Sequence, residues 1–162
     1  MSMRISYPVP VDKAVKEVVE DIKKQVEARS HTAANELRNS SLEILRGARG
    51  GRRYKVPGTF RRQRDKVSGK MKNGRYYTAS APGEPPAKRT GNFRRSWHPT
   101  ALKEGNTYIS RVESNLQIKI GPLGQILEEG TPGGQMAPRP YQEKVLKHAE
   151  PKVVRIYSAP YD

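Results

Sequence analysis

The sequence contains no cysteine, which excludes a disulfide-stabilised fold, a thiol nucleophile and a zinc site with thiolate ligands. It contains no run of about 18 apolar residues, and residues 1–10 lack the apolar stretch of a signal peptide, so we expect a soluble protein with no membrane partner. Apolar residues make up 34% of the 162 residues and aromatic residues 7%, against roughly 45–50% apolar in a typical domain when glycine is counted as well. The hydrophobic core is therefore expected to be small.

Residues suited to catalysis are also sparse. The three histidines have no second histidine or acid at a metal-binding spacing; they are His31, His98 and His148. Glu128 and Glu129 are adjacent, so on a helix they point apart, one towards solvent and the other towards a local cation. Residues 121–124 (GPLG) lack the glycine spacing and the Lys-Ser/Thr of a phosphate-binding loop. We therefore predict a protein that is not an enzyme and that has no cofactor or metal.

Positive charge is concentrated in one part of the chain. Residues 46–95 hold 16 Lys and Arg and two acids, whereas the remaining residues hold 15 basic and 14 acidic residues, within a net charge of +15. This segment is also rich in glycine and has no apolar periodicity. We therefore predict a single domain over residues 1–162, with 46–95 as a long basic loop or arm inserted in it.

The cations of this arm alternate with aromatic residues, a composition typical of nucleic-acid-binding surfaces. Two alternatives remain open from the residues alone: a solvated arm without a partner, and an arm whose arginines pair with carboxylates of a protein neighbour. The candidate contacts are Arg49, Arg52, Arg53, Lys55, Arg61, Arg62, Arg64, Lys70, Lys72 and Arg75, and the aromatic residues are Tyr54, Phe60, Tyr76 and Tyr77.

Residues 12–47 are predicted to form a helix, because their apolar positions recur every three or four residues. Asp12 is suited to cap its start and Gly47 to end it. The polar stretch 29–32 is expected to kink or split this helix. Since a continuous helix would be roughly 50 Å long, we expect part of its apolar stripe to contact another subunit.

The rest of the chain predicts a small sheet followed by a second helix. Residues 96–103 and 107–113 are strand candidates joined by a turn at 105–106, and residues 116–120 alternate as a third strand. A short helical turn over 123–129 follows, and Pro140 opens a final helix that Pro151 kinks or restarts. The predicted fold class is α+β: a long N-terminal helix, an extended basic loop, a small antiparallel β-meander and a C-terminal helix.

Two short segments resemble a bacteriophage family, the head–tail joining or tail-completion proteins of long-tailed phages, also called neck or minor tail proteins. Residues 80–96 (SAPGEPPAKRTGNFRRS) resemble the family pattern APG-x-PP…TG-x-L-R-x-S, and residues 126–141 resemble YLEFGT…M-A-ARPF. The matching positions are Pro82, Gly83, Pro85, Pro86, Thr90, Gly91, Arg94, Ser96, Leu127, Glu128, Gly130, Thr131, Ala137, Arg139 and Pro140. Ile126 and Glu129 depart from the family's usual Tyr and Phe, and Gly133-Gly134 lengthens the loop.

This resemblance implies a virion structural protein that forms a ring, a hexamer or dodecamer, between the connector and the tail tube of a phage assembled in the bacterial cytoplasm. It leaves open whether the ring lies at the neck or at the tail terminator. Its partners would be further copies of itself, the connector or head-closure protein and the tail-tube or tail-terminator protein. The basic arm would contact these proteins or the double-stranded DNA in the channel. The alternative function is a basic module that binds DNA or RNA.

Overall fold

The protein is described here by a computed structural model covering residues 11–56, 67–69, 74–131 and 133–161. It has an α+β fold with a long first helix, antiparallel strand pairs and a C-terminal helix, which confirms the predicted class. The elements are α1 (Val11–Arg46), β1 (Arg53–Lys55), β2 (Tyr76–Thr78), α2 (Asn92–Arg95), β3 (Trp97–Glu104), β4 (Thr107–Ser114), β5 (Gln117–Ile118), β6 (Gly121–Pro122), α3 (Leu123–Glu129) and α4 (Gln142–Ser158).

Helix α1 runs without a break through residues 29–32, so the predicted split is wrong. Small residues in and after this stretch are fully buried, namely Ser30, Ala33 and Ala34. Their size lets both the β3–β4 hairpin and α4 pack closely against the helix. Ser110 of β4 donates a hydrogen bond to the Ser30 carbonyl at 2.9 Å. Tertiary packing therefore outweighs the weak helix preference of these residues.

Strands β3 and β4 form a regular antiparallel hairpin from the Trp97–Ser114 pair to the Glu104–Thr107 pair, as the sequence predicts. The predicted third strand of a meander is wrong. Only Gln117–Ile118 is extended, and it pairs with Gly121–Pro122 instead of β4. Among the described residues, β3 and β4 pair only with each other, so each keeps one edge without a strand neighbour.

Helix α4 packs antiparallel to α1, because His148 contacts Glu43 whereas the later residue Tyr157 lies beside Arg29. Pro151 lies inside α4, and the helix does not restart there. The helix begins two residues after Pro140, with Tyr141 at its N-cap. Arg29 donates hydrogen bonds to the carbonyls of Tyr157, Ala159 and Pro160, which satisfies backbone acceptors at the end of α4.

The core is small and centres on Tyr141, which is fully buried against Trp97 and Phe93. The three rings pack edge to face, with centroid distances of 5.4, 5.7 and 5.9 Å. Burial raises the pKa of Tyr141 to about 12. Leu45 from α1 and Val145 from α4 complete this cluster, so a few large side chains join both helices to the hairpin.

Candidate assembly and nucleic-acid interface

The two segments that resemble the phage family meet in space. The Arg139 guanidinium donates hydrogen bonds to the carbonyl and hydroxyl oxygens of Ser80 and approaches the Ala81 carbonyl at 3.4 Å. The Gly83 N–H faces the Pro138 carbonyl at 3.4 Å, and the Lys144 ammonium donates to the Gly83 carbonyl at 3.0 Å. We call residues 80–86 the motif turn. It is fixed beside the start of the C-terminal helix by the side chains of Arg139 and Lys144 and by one main-chain contact, from Gly83 to Pro138.

The motif turn also holds the root of the basic arm. Both oxygens of Glu84 accept the Gly50 N–H, at 3.0 and 3.1 Å, and one of them accepts the Ala81 N–H at 2.8 Å. These backbone N–H groups hold the pKa of the Glu84 carboxyl below its ordinary value. Arg49 donates to the Pro86 carbonyl and to the last turn of α1 at Ile44. The chain therefore leaves α1 in a fixed direction.

The Glu84 contact makes the arm root sensitive to acid. Because the folded-state pKa of Glu84 is lowered, its contribution to stability is present above the unfolded-state pKa and is lost as the pH falls through the folded-state value. At neutral pH, Glu84→Gln should lower the amide protection of residues 49–52 to the level that we expect for the natural chain in acid. Hydrogen-exchange mass spectrometry at pH 7 and pH 3 measures this when each exchange rate is divided by the intrinsic rate of an unfolded peptide at the same pH.

Glu104→Gln, at the exposed tip of the β3–β4 hairpin, is the matched control and should leave exchange at 49–52 unchanged. Equal exchange in the natural chain and in Glu84→Gln at neutral pH would show that the carboxylate does not order the arm root.

Within the arm, Arg53–Lys55 and Tyr76–Thr78 form a two-stranded antiparallel ribbon. Tyr54 lies opposite Tyr77, and their rings stack with centroids 5.8 Å apart. Because side chains alternate along a strand, Arg53, Lys55 and Tyr76 lie on the other face of the ribbon. The Arg53 guanidinium carbon lies 4.4 Å from the centroid of the Tyr76 ring. Cations and aromatic rings are therefore presented together, mostly exposed to solvent.

The predicted arm cations occupy three situations. Arg52, Arg53, Lys55 and Arg75 lie on the ribbon or directly beside it and are exposed. Arg49 is half-buried at the arm root, where its guanidinium is bound by carbonyl oxygens. The others lie outside the described residues: Arg61, Arg62, Arg64, Lys70 and Lys72.

The second of the two segments forms a turn that positions α4. Gly130 has a φ of 83°, and a Cβ there would lie 2.7 Å from the Met136 carbonyl oxygen, so this position requires glycine. The Thr131 hydroxyl accepts the Met136 N–H at 2.9 Å. Glu128 accepts the N–H groups of Tyr141 and Gln142, at 2.9 and 3.3 Å. The prediction that a glutamate here holds a cation is therefore wrong, because Glu128 binds the orphan N–H groups at the start of α4.

We call the two joined segments, residues 80–96 and 126–141, the motif bracket. Its remaining motif residues contact the core or lie nearer the surface. Thr90 accepts the Asn92 N–H at 3.3 Å where Gly91, with a φ of 85°, starts α2. Ser96 bonds to Phe93 and to Ser114 of β4. Leu127 packs against the core. Arg94, Pro85 and Pro140 are half-buried, Pro86 is buried, and Pro82 and Ala137 are exposed.

Sequence reasoning missed the polar contacts between α1 and α4. His148 contacts the Glu43 carboxylate, and the Lys152 ammonium lies 2.9 Å from Glu36 and 3.3 Å from Glu43. Helical spacing within α4 places His148 and Lys152 on one face, but nothing local identifies the acids of α1 as their partners. Glu36, Glu43 and Lys152 line a groove between the helices.

The N-terminal part of α1 presents an exposed apolar stripe. The expected contact of this helix with another subunit stays a prediction. The exposed fractions are 55% for Val15, 58% for Val18, 43% for Val19 and 41% for Ile22. We call these four residues the N-terminal stripe. They lie on consecutive turns of one helix face.

The described ranges lack both a cluster of metal ligands and a membrane-spanning helix. These ranges contain no group of three or more metal-ligating side chains, and no helix within them is long and apolar enough to cross a bilayer. Comparisons with protein-family models, curated proteins and solved structures find no match to this chain. Function is therefore inferred from the residues and contacts described above.

Proposed function

We propose that this chain is a non-enzymatic structural protein of a tailed-phage virion, forming an oligomeric ring at the head–tail interface. As a neck, tail-completion or tail-terminator component, it would join the connector to the tail tube around the DNA channel. The observation that carries the proposal is the contact of Arg139 with Ser80 and Ala81. It unites the two segments of the family resemblance in one bracket, as expected if both belong to a single structural motif.

Uncovered surfaces of the fold support an assembling protein. The β3–β4 hairpin keeps strand edges without strand neighbours in the described structure, and such edges are ready sites for pairing with another chain. A head-to-tail contact between copies closes into a ring when its rotation allows. The exposed ribbon would reach adjoining connector or tube proteins, or the DNA in the channel.

Deletion of the gene from its phage tests the proposal directly. We expect filled heads and separate tails by electron microscopy, restored to joined particles by a plasmid copy, and the chain itself in purified virions by mass spectrometry. Joined, infectious particles from the deletion strain, or the absence of the chain from virions, would overturn the proposal.

A basic module that binds nucleic acid is the second candidate, favoured by the ribbon. A two-stranded ribbon fits the major groove of duplex DNA, and the exposed Arg52, Arg53 and Lys55 would neutralise phosphates. The logarithm of affinity should fall with the logarithm of salt concentration by about 0.9 per phosphate contact. Combined alanine substitution of these three residues should therefore flatten the slope by up to about 2.7, as measured by fluorescence anisotropy.

Alanine substitution of Lys13, Lys119 and Lys147 removes the same charge from exposed sites elsewhere on the surface and is the matched control. If both triple variants change the slope equally, the ribbon is not the binding surface. The ribbon variant could lose affinity for DNA and still support the assembly of joined particles. That result would favour nucleic-acid binding by the ribbon over contacts of the ribbon with virion proteins.

A further inference from the structure

The N-terminal part of α1 extends beyond the elements that cover the rest of the helix. Helix α4 ends at Ser158, and its last carbonyls are bound by Arg29. On the other side, Lys103 and Tyr108 near the hairpin tip interact electrostatically with Glu20 and Lys23. The N-terminal stripe lies mostly beyond both neighbours, which explains its exposure within the described structure.

Six of the eight charged residues in this helix segment form ion pairs with each other. Glu20 and Lys23 form an ion pair at 2.7 Å, Asp21 and Lys24 one at 3.3 Å, and Lys13 and Glu17 one at 4.0 Å. Residues 12–24 contain four acids and four lysines, so the segment is neutral in a chain of net charge +15. It has no net charge with which to attract DNA or an anionic membrane. A second copy of the same segment can approach it without net repulsion.

The spacing of the stripe is symmetric about the midpoint between Val18 and Val19. Val15 lies three residues before Val18, and Ile22 lies three residues after Val19. Reversing the helix about this midpoint exchanges Val15 with Ile22 and Val18 with Val19. A two-fold contact requires that if residue i contacts residue j, then j contacts i. The stripe meets this condition in an antiparallel pair, with an apolar residue at every layer.

The charges beside the stripe, and the basic remainder of each chain, favour an antiparallel pair. Asp12 and Lys23 lie on the same edge of the stripe, since 11 residues correspond to about three helical turns. Reversal places Asp12 of one copy about 3 Å along the axis from Lys23 of the other, given a rise of ~1.5 Å per residue. A parallel pair would not form this contact, because Asp12 and Lys23 would stay 11 residues apart along the axis, or about 16.5 Å. It would also bring two strongly basic bodies to the same end, whereas the antiparallel pair separates them.

We propose that two copies of this chain pair through the N-terminal stripes of antiparallel α1 helices, about a two-fold axis between Val18 and Val19. The occupant of the exposed stripe is therefore the same stripe of a second copy. The pairing does not rest on the proposed virion function, because an isologous contact closes on itself with two copies and needs no ring.

Disulfide cross-linking tests the register, and the absence of native cysteine makes each introduced thiol unique. A mixture of Val15→Cys and Ile22→Cys chains should form a mixed disulfide on mild oxidation, because the proposed axis puts these positions level. Val15→Cys alone should not cross-link. Its two copies would lie seven residues apart along the axis, or about 10 Å, beyond the roughly 4.4–6.8 Å between Cα atoms that a disulfide spans.

Sedimentation equilibrium provides a second measurement on the full chain. Val18→Asp should raise the dimer dissociation constant at least about tenfold, because each copy would bury a carboxylate in the apolar contact. Val154→Asp is the matched control, since Val154 lies on α4 with an exposed fraction of 59%, against 58% for Val18. It should leave the dissociation constant unchanged.

Three outcomes would overturn the proposal. Cross-linking of Val15→Cys alone would indicate a parallel pair. Equal dissociation constants for Val18→Asp and Val154→Asp would place the contact elsewhere. A monomer at all concentrations, with no mixed disulfide, would mean that another part of the chain or a different protein covers the stripe. Virion assembly would remain to be judged by the deletion experiment, so the two proposals fail independently.

Discussion

Tyr141→Ala is expected to lower the free energy of unfolding by about 3–5 kcal/mol, the range for removing a large aromatic side chain from a core. Tyr141 is fully buried, and its ring contacts those of Phe93 and Trp97. Its hydroxyl donates to the Gly124 carbonyl at 3.3 Å. Since single domains are stable by only about 5–15 kcal/mol, and this core is small, the variant should be largely unfolded near 37 °C. Thermal unfolding followed by circular dichroism measures the effect.

Tyr54→Ala is the matched control, because Tyr54 is exposed on the ribbon, away from the core. It should change the free energy of unfolding by less than about 1 kcal/mol, as surface substitutions usually do. Tyr141→Phe retains the ring and removes one hydrogen bond, so its loss should be about 0.5–1.5 kcal/mol. If Tyr141→Ala and Tyr54→Ala unfolded at the same temperature, the three rings would not form the core that holds α4 to the hairpin.

The first helix was the most predictable element, because its apolar spacing persists over ten turns. The prediction gave residues 12–47, against Val11–Arg46 in the structure. Its error was the break at 29–32. Serine and histidine in that stretch have modest helix preference, but Ser30 is where the hairpin contacts the helix. From sequence alone, a small polar residue at a packing contact, such as Ser30, cannot be distinguished from one that interrupts a helix.

The third strand shows the opposite error, in which a short local pattern was not supported by packing. Leu116, Ile118 and Ile120 alternate with polar residues, yet Ile118 and Ile120 are exposed. The chain reverses at residues 119–120, so that Gln117–Ile118 pairs with Gly121–Pro122. The Leu123 N–H still donates to the Leu116 carbonyl at 3.0 Å, and the pairing ends there because α3 begins at Leu123. Five alternating residues are too few to distinguish a sheet strand from a small hairpin.

The sequence indicated which residues belong to the motif bracket, but not the contacts between them. The resemblance indicated that residues 80–96 and 126–141 matter together, but the Ser80–Arg139 contact joins positions 59 residues apart. Neither helical nor strand periodicity carries information at that range. The contact between Glu84 and the Gly50 N–H, which fixes the arm root, joins residues 34 apart and could not be predicted from local sequence either. Local sequence predicted the turns, and tertiary contacts determine what the turns hold.

Arg139→Met should lower the free energy of unfolding by about 2–3 kcal/mol, the upper range for hydrogen bonds to a charged donor. Methionine keeps the apolar length of the side chain but removes the guanidinium that binds the oxygens of Ser80. Ser80 is buried, with 5% of its surface exposed, so its carbonyl would lose a partner without gaining full access to water. Urea denaturation measures the global change, and hydrogen-exchange mass spectrometry should show increased exchange at residues 79–86 and at the arm root, residues 49–52.

Arg155→Met on α4 is the control, because it removes an equal charge from an exposed position. Arg139→Lys should be intermediate, since an ammonium lacks the planar fork that binds two acceptors at once. Because the motif turn holds Gly50 through Glu84, Arg139→Met should also loosen the arm root while α1 and α4 keep their protection. If Arg139→Met and Arg155→Met had equal stability and equal exchange at 79–86, the bracket would not order the arm. The Arg139–Ser80 contact would then not hold the two segments together, and the proposed virion function would lose the observation that carries it.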